Sequence, residues 1–519
     1  MSEKRSAPAV DPTPTGSKGL AAGTLGLFGS TVIGLASTAP VYSLAATVGF
    51  VVLAVGAQAP IAMILAFIPM FLTAYAYREL NRAVPDCGTA FTWGTKAFGP
   101  WVGWMAGWGV AVAGIIVLAN LAQIGSKYLW LLTNNPDLYD NVFLVTATGV
   151  VFIALMTFIS IRGLQIGERL QNVLLGVQYV ALILFVILAL WAVFTGTAPE
   201  GATLPQADWF NPFAFTSLSG FTEAILLCLF IYWGWDTCLA LNEETKDPER
   251  TPGRAAVLST VILLVTYVSV TVAAMSFAGL GDSGLGLGNE ENSGDVFLAL
   301  KDAIFGPWAW LLVIAVCVSA ISSTQTTILP TARGTLAMAT YRALPERFGR
   351  INPAFKTPRF ATIFMSVVAI TFYVGMTLVS ENVLSDTILS IGLAIAFYYA
   401  ITSYACVWYF RKEIFTTVRN FLFKGLFPLI GGLMLTAAFI QSAIDMYDPE
   451  YGYTVIFGIG GVFVIGVGSL LVGVVLMLVW FFFAQSKPFF RGESLNRDTE
   501  VLAPEDEQLI PRSVDGGLM

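Results

Sequence analysis

About twelve stretches of this 519-residue chain are apolar over the length a helix needs to cross a bilayer, about 20 residues. They fall near residues 20–49, 56–80, 100–132, 142–161, 169–195, 213–241, 255–280, 304–340, 360–379, 385–410, 422–446 and 453–484. Inside lipid each backbone N–H and C=O has to be satisfied within the chain, which leaves helices for segments of this length. The expected fold class is therefore an all-α polytopic membrane protein. Composition agrees: 12% of residues are charged, against about 25% in soluble domains. Mean hydropathy is +0.74.

Lys and Arg set the expected orientation. Of the 27 basic residues, all but Lys127 and Lys301 fall on the tails or beside the even-numbered connections, while odd connections such as "GDSGLGLGNEENSGD" are acidic. By the positive-inside rule both termini are cytoplasmic and the number of spans is even. The polar opening "MSEKRSAPAVDPTPTGSKG" has no apolar core behind its basic residues, so residues 1–19 read as a disordered cytoplasmic tail rather than a signal peptide. Residues 486–519 read as a second cytoplasmic tail.

Two spans are irregular. "LGLFGSTVIGLASTAPVYSLAATVG" packs Gly26, Gly29, Ser30, Thr31, Gly34, Ser37, Thr38 and Pro40 into the first, a mixture that favours a broken helix. In the sixth, Gly234 and Asp236 interrupt an aromatic run that passes directly into Glu243, Glu244, Lys246, Asp247, Glu249, Arg250 and Arg254. A carboxylate at the centre of a lipid-facing helix costs about 2.5–3.5 kcal/mol, so Asp236 is expected to face protein, water or a cavity. Interrupted spans at corresponding places in two halves of a chain mark a transporter binding site; glycine as a helix-packing notch is the alternative.

Other function classes leave different marks. The chain has no His, no HExxH, no paired intramembrane acids and no nucleophile motif, so nothing in it reads as an enzyme, and no metal or cofactor is expected. Cys87, Cys228, Cys238, Cys317 and Cys406 lack a CxxC and read as packing residues. Neither a pore-loop repeat nor GxxxxGK[ST] is present, which speaks against a channel and a nucleotide-driven pump. A membrane sensor without transport remains as a different class.

The stretch "FIYWGWDTCLALNEETKDPERTPGRAAV" (230–257) resembles the sixth span of the amino acid-polyamine-organocation permeases, through Phe230, Gly234, Asp236, Glu243, Glu244, Lys246, Pro248, Arg250, Thr251, Arg254 and Ala255. "AYAYRELNRAVPDCGTAFTWGTKAFGPWVGWMAGW" (74–108) and "ARGTLAMATYRALPERFGRINPAFKTP" (332–358) are similar to that family's second-to-third-span region and eighth-span exit. The resemblance implies a LeuT-type inverted repeat of five plus five helices over 20–410, with repeats near 20–195 and 213–410. Two additional helices follow over 411–485.

It also implies a small-molecule substrate held at mid-membrane, an amino acid first and a polyamine or other organic amine second. The partners are that substrate and membrane lipid, with no nucleic acid; oligomeric state is left open. The residues it places around the substrate are Val32, Ile33, Gly34, Leu35, Ala36 and Ser37 in the first span and Phe230, Ile231, Trp233 and Gly234 in the sixth. Trp235 and Asp236 flank them. Many proton-coupled members carry a fifth-span Lys where this chain has Gln178, and sodium-coupled relatives use eighth-span hydroxyls where Ser322 and Ser323 stand. Proton-linked uptake or exchange is expected, with sodium coupling as the alternative. Asn120 and Gln123 are expected to make interhelical hydrogen bonds, Glu223 to be a solvated outer-end residue, and Glu243, Glu244, Lys246 and Arg250 to form an ion network at the inner mouth.

Overall fold

The computed structural model describes residues 18–379 and 381–501 and is built from long helices. The first apolar segment is two helices, Leu27–Ser37 and Pro40–Val55. The second span is Ala59–Ala83, and the helix Ala90–Phe98 connects it to the third, Pro100–Leu131. The fourth and fifth are Val142–Ile161 and Leu164–Thr195. The sixth is again divided, into Leu218–Ile231 and Thr237–Ala240. Then come Thr251–Ala278, Trp310–Thr340, Arg359–Val379, Glu381–Tyr409, Phe427–Asp445 and Gly461–Phe481, the seventh to twelfth.

Several expected boundaries move, each for a backbone reason. The eighth segment does not run from 304: Gly306, at φ +52, ends a separate helix Val296–Phe305, and the span begins at Trp310. The twelfth does not begin at 453. Phe457 and Gly458 both have positive φ, the turn chemistry that closes a two-residue hairpin, and pair Val455–Ile456 with Ile459–Gly460 before the helix starts. The eleventh is preceded by a wider turn of helix at Phe421–Leu426.

Burial separates the interior from the lipid-facing rim. In the most apolar windows of the third and eighth spans 78% of residues are buried, against 28% in the fourth, eleventh and twelfth. Close approach between the two interior spans requires a small residue: a Cβ on Gly114 would lie 2.3 Å from Thr331 Cγ2. Asn120 and Gln123 accept hydrogen bonds from Tyr42 (2.5 Å) and Tyr373 (2.7 Å), tying the third span to its neighbours.

The end of the bundle that carries both Lys18 and Val501 is closed by buried charge. Lys18, expected in the tail, is buried, and its ammonium donates to Asp86 at 2.7 Å and to Glu243. Residues 1–17 of that expected tail, and 502–519 of the other, lie outside the described residues. Beside it the Arg333 guanidinium makes two bonds to Glu244, 2.9 and 3.2 Å long. Lys246 and Arg250, expected in this network, are exposed. A tight turn of helix at Asn242–Glu244 aims the two glutamates inward, and a turn at Asp247, φ +51, carries the next charges out. Burial by itself would push the Lys18 ammonium down, but the carboxylates of Asp86 and Glu243 outweigh it and hold it well above the usual lysine range. The same strand of chain is tied to the inner end of the sixth span by Thr24 and Leu25 N–H groups on the Glu244 carbonyl, 2.8 and 3.0 Å.

Replacing Lys18 by Met leaves two buried carboxylates facing each other without a counter-charge, a change expected to cost about 3–5 kcal/mol. The purified protein in detergent should show a lowered unfolding temperature, and adding Glu243→Gln to Lys18→Met should restore part of it. An unchanged temperature for the single variant would mean that the cluster contributes packing rather than charge pairing.

Candidate functional site

The two interrupted spans meet in the interior. In the first, Pro40 has no N–H for the Ala36 carbonyl and its ring disfavours a helical residue before it. Ala39 accordingly sits at φ 47, ψ 59, and its N–H falls back on Ala36 at 3.2 Å. Val32, Ile33, Gly34, Leu35, Ala36 and Ser37, expected around the substrate, are helical and buried, and the break lies just beyond them at Thr38–Ala39. In the sixth span the helix ends at Ile231, residues 232–236 form turns, and Gly234 takes φ +116.

Glycine is required at 234 on two grounds. Its φ is one that side chains rarely adopt, and a Cβ there would stand 2.8 Å from the carbonyl carbon and oxygen of Ser37. Gly34 makes the reciprocal approach, with its Cβ position 3.3 Å from the Trp235 carbonyl oxygen and 2.8 Å from Ser259 Oγ. The hydroxyls of Ser37 and Thr237 share a hydrogen bond of 2.8 Å across the junction. The two breaks are thus packed backbone against backbone.

Surrounding residues engage the freed backbone groups. The Tyr267 hydroxyl donates to the Ile231 carbonyl at 2.6 Å and Ser323 Oγ donates to the Ser37 carbonyl at 2.8 Å. Ser322, the other eighth-span hydroxyl considered for an ion, turns to Gln171 of the fifth span, whose amide in turn donates to the Ser322 carbonyl and to Gln325. Of the two, Ser323 alone reaches the break. Gln178 is fully buried on the fifth span and neither of its amide atoms has a hydrogen-bond partner among the described residues.

Asp236 is the carboxylate on the flank of the sixth-span break. Its carboxylate accepts from the hydroxyls of Tyr399 (2.9 Å) and Tyr398 (3.3 Å), and Tyr398 also accepts from the Trp233 indole. Trp235 lies fully buried against Tyr77 and Tyr399, ring centroids 5.2 and 5.4 Å away. Phe230 is partly buried on the last turn before the break. The tenth-span tyrosines are site residues that sequence reasoning missed; the doublet Tyr398–Tyr399, two hydroxyls inside an apolar span, was the available signal. Glu223 is exposed in the second turn of the helix Leu218–Ile231, thirteen residues before Asp236 in the chain.

Among the described residues, the one group of His, Cys, Asp or Glu ligand atoms close enough to hold a metal is Asp86, Cys87 and Glu243, within 4.8 Å of one another. Lys18 is bonded to both carboxylates, so their counter-charge comes from the chain itself.

The profile of the amino acid permease family matches residues 24–490. Among curated proteins, the chain is 24% identical over 420 residues to a low-affinity putrescine importer, PlaP, of Escherichia coli K12, covering 80% of this chain and 88% of the relative. It is 22% identical over 397 residues to the serine/threonine exchanger SteT of Bacillus subtilis, covering 74% and 82%. To the branched-chain amino acid permease BcaP of Lactococcus lactis it is 27% identical over 220 residues, covering 38% and 44%. With two broken spans in register and a profile match over nearly its whole length, this chain belongs to the amino acid permease family.

Proposed function

We propose that the protein is a secondary transporter of the cytoplasmic membrane that carries an amino acid by alternating access, with both termini in the cytoplasm. The observation that carries the reading is the backbone-to-backbone meeting of the two interrupted spans around Gly234 and Ser37. Helix ends at such a junction offer orphan N–H groups to a carboxylate and orphan carbonyls to an ammonium, so a zwitterion is bound without buried charged side chains. In this reading the first ten spans are two repeats of five, near 20–195 and 213–410. Val32–Ser37 and Phe230–Asp236 contribute the walls, and the eleventh and twelfth spans flank the core. The relatives' names, a permease and an exchanger of amino acids among them, support the substrate class.

A second reading, an organic amine as substrate, is favoured by Asp236. A carboxylate presented by two tyrosine hydroxyls and bordered by Trp233 and Trp235 is suited to a primary ammonium. A relative named as a putrescine importer points the same way. For coupling, proton-linked uptake or exchange is the reading, on the ground that Asp236 borders the break; of the two eighth-span hydroxyls that sodium would need, Ser323 reaches the Ser37 carbonyl while Ser322 is bonded to Gln171.

Three outcomes test these readings in proteoliposomes. Gly234→Leu combines an unfavourable φ with a backbone clash and should lower uptake by about tenfold or more at unchanged membrane insertion; near-normal uptake would reduce the junction to a packing notch. Asp236→Asn should depress transport of cationic amines far more than that of neutral amino acids, and equal loss of both would assign the carboxylate to holding Tyr398 and Tyr399. Replacing sodium by choline at fixed pH should leave uptake intact; abolition, reproduced by Ser323→Ala, would overturn the proton or exchange reading.

A further inference from the structure

The chain beyond the twelfth span folds back onto the inner face, where the sequence suggests a free tail. After a turn at Ala484–Ser486 comes a short helix, Lys487–Phe490, and the segment continues along the inner face to Val501. Phe489 and Leu495 are fully buried, in one apolar cluster with Leu20, Cys87, Phe91, Leu336 and Tyr341. Phe489 lies on Phe91 with ring centroids 5.5 Å apart, and Phe490 on Trp101 at 4.7 Å.

Its polar contacts fall on three different elements of the core. Ser494 Oγ donates to the Tyr341 carbonyl at 2.6 Å, at the inner end of the eighth span. The Lys96 ammonium, on the connecting helix 90–98, donates to the Asn496 and Thr499 carbonyls at 3.1 and 2.6 Å. Arg497 donates to the Tyr409 carbonyl at 2.8 Å, at the end of the tenth span, whose Tyr399 ten residues earlier donates to Asp236. Tyr341 is the link to the buried charges: its hydroxyl donates to Asp86 at 2.7 Å, and its ring lies 5.6 Å from the Lys18 ammonium.

We propose that residues 484–501 are a latch that holds the inner mouth closed by fixing Tyr341 against the Lys18, Asp86 and Glu243 cluster. Release of the segment frees the Tyr341 backbone, removes a hydroxyl donor from Asp86 and uncovers Cys87, whose N–H donates to Glu243 at 2.8 Å. The latch is also balanced for release. Lys96 is buried with carbonyls as its hydrogen-bond partners, and desolvation lowers its pKa against the pull of Asp86 and Asp498. When the segment leaves, that ammonium returns to water, which offsets part of the cost of exposing Phe489 and Leu495. A device of this kind sets how often the mouth opens while leaving the substrate-contacting residues untouched.

Cys87 is a native reporter, because it is buried at the mouth while the latch is closed. The experiment compares N-ethylmaleimide labelling of each cysteine, read by peptide mass spectrometry, in full-length protein, two test variants and one control variant. Ser494→Ala with Arg497→Ala removes two bonds and no buried apolar side chain; the second variant ends at Phe483. Labelling of Cys87 should accelerate about fivefold or more in the double variant, the equivalent of one net hydrogen bond, and further in the truncation. Cys317, in the outer half of the eighth span, should stay at its original rate, as should Cys87 in Arg491→Ala, a change at an exposed side chain of the same segment. Should the truncation fail to fold, the double variant decides alone. Unchanged Cys87 labelling in a monodisperse double variant, or an equal rise at Cys317, would overturn the latch. The readout is independent of transport and so of the substrate assignment.

Discussion

The contact between Gly234 and the Ser37 carbonyl is the constraint that organises the interior. A membrane helix ordinarily hides its peptide groups in its own hydrogen bonds; breaking two helices at one depth exposes several of them where water is scarce, at a cost of several kcal/mol for each group left unpaired. Bringing the breaks together without a side chain between them lets neighbours supply the missing partners. Tyr267 donates to Ile231, Ser323 to Ser37, and Ser37 meets Thr237. Each partner comes from a different span, so the junction fixes the relative positions of the first, sixth, seventh and eighth spans at once.

Charge is handled by a parallel logic at a different depth. Within the spans, Asp236 is met by tyrosine hydroxyls rather than by a cation. At the inner face the opposite holds: Lys18 neutralises Asp86 and Glu243, and Arg333 neutralises Glu244, all with little or no exposure. Removing one partner from such a buried pair is far more damaging than never having built it, so the closure of that face is strongly specified, whereas the Asp236 carboxylate has hydroxyl partners alone. The tenth span connects the two depths, with Tyr398 and Tyr399 at one and Tyr409 at the other.

Much of this architecture is legible in the chain itself. The fourth span runs from 142 to 161 as its apolar stretch suggests, because a helix in lipid ends where its apolar residues end. The interruption of the sixth span is visible in Gly234 and Asp236 for the same reason: neither belongs in a regular lipid-facing helix. The position of the first break is less legible. The irregular residues from Gly26 to Pro40 suggest a break without saying where it falls, and two of them, Gly29 and Gly34, serve the close approach of Glu168 and of Ser259 and the Trp235 carbonyl. Pro40, by removing an N–H, sets the break at Thr38–Ala39.

Local composition measured against lipid is enough to set the apolar spans and the existence of two breaks, because each is a property of a few neighbouring residues. The partners of the buried polar groups are a property of the folded bundle alone. Lys18 finds Glu243 across 225 residues, Tyr399 finds Asp236 across 163, and Ser323 finds Ser37 across 286. No local pattern encodes such pairings, because a buried polar group needs a partner and its neighbours in sequence do not say which distant one will supply it. The packing of distant helices is what chooses the group that satisfies it.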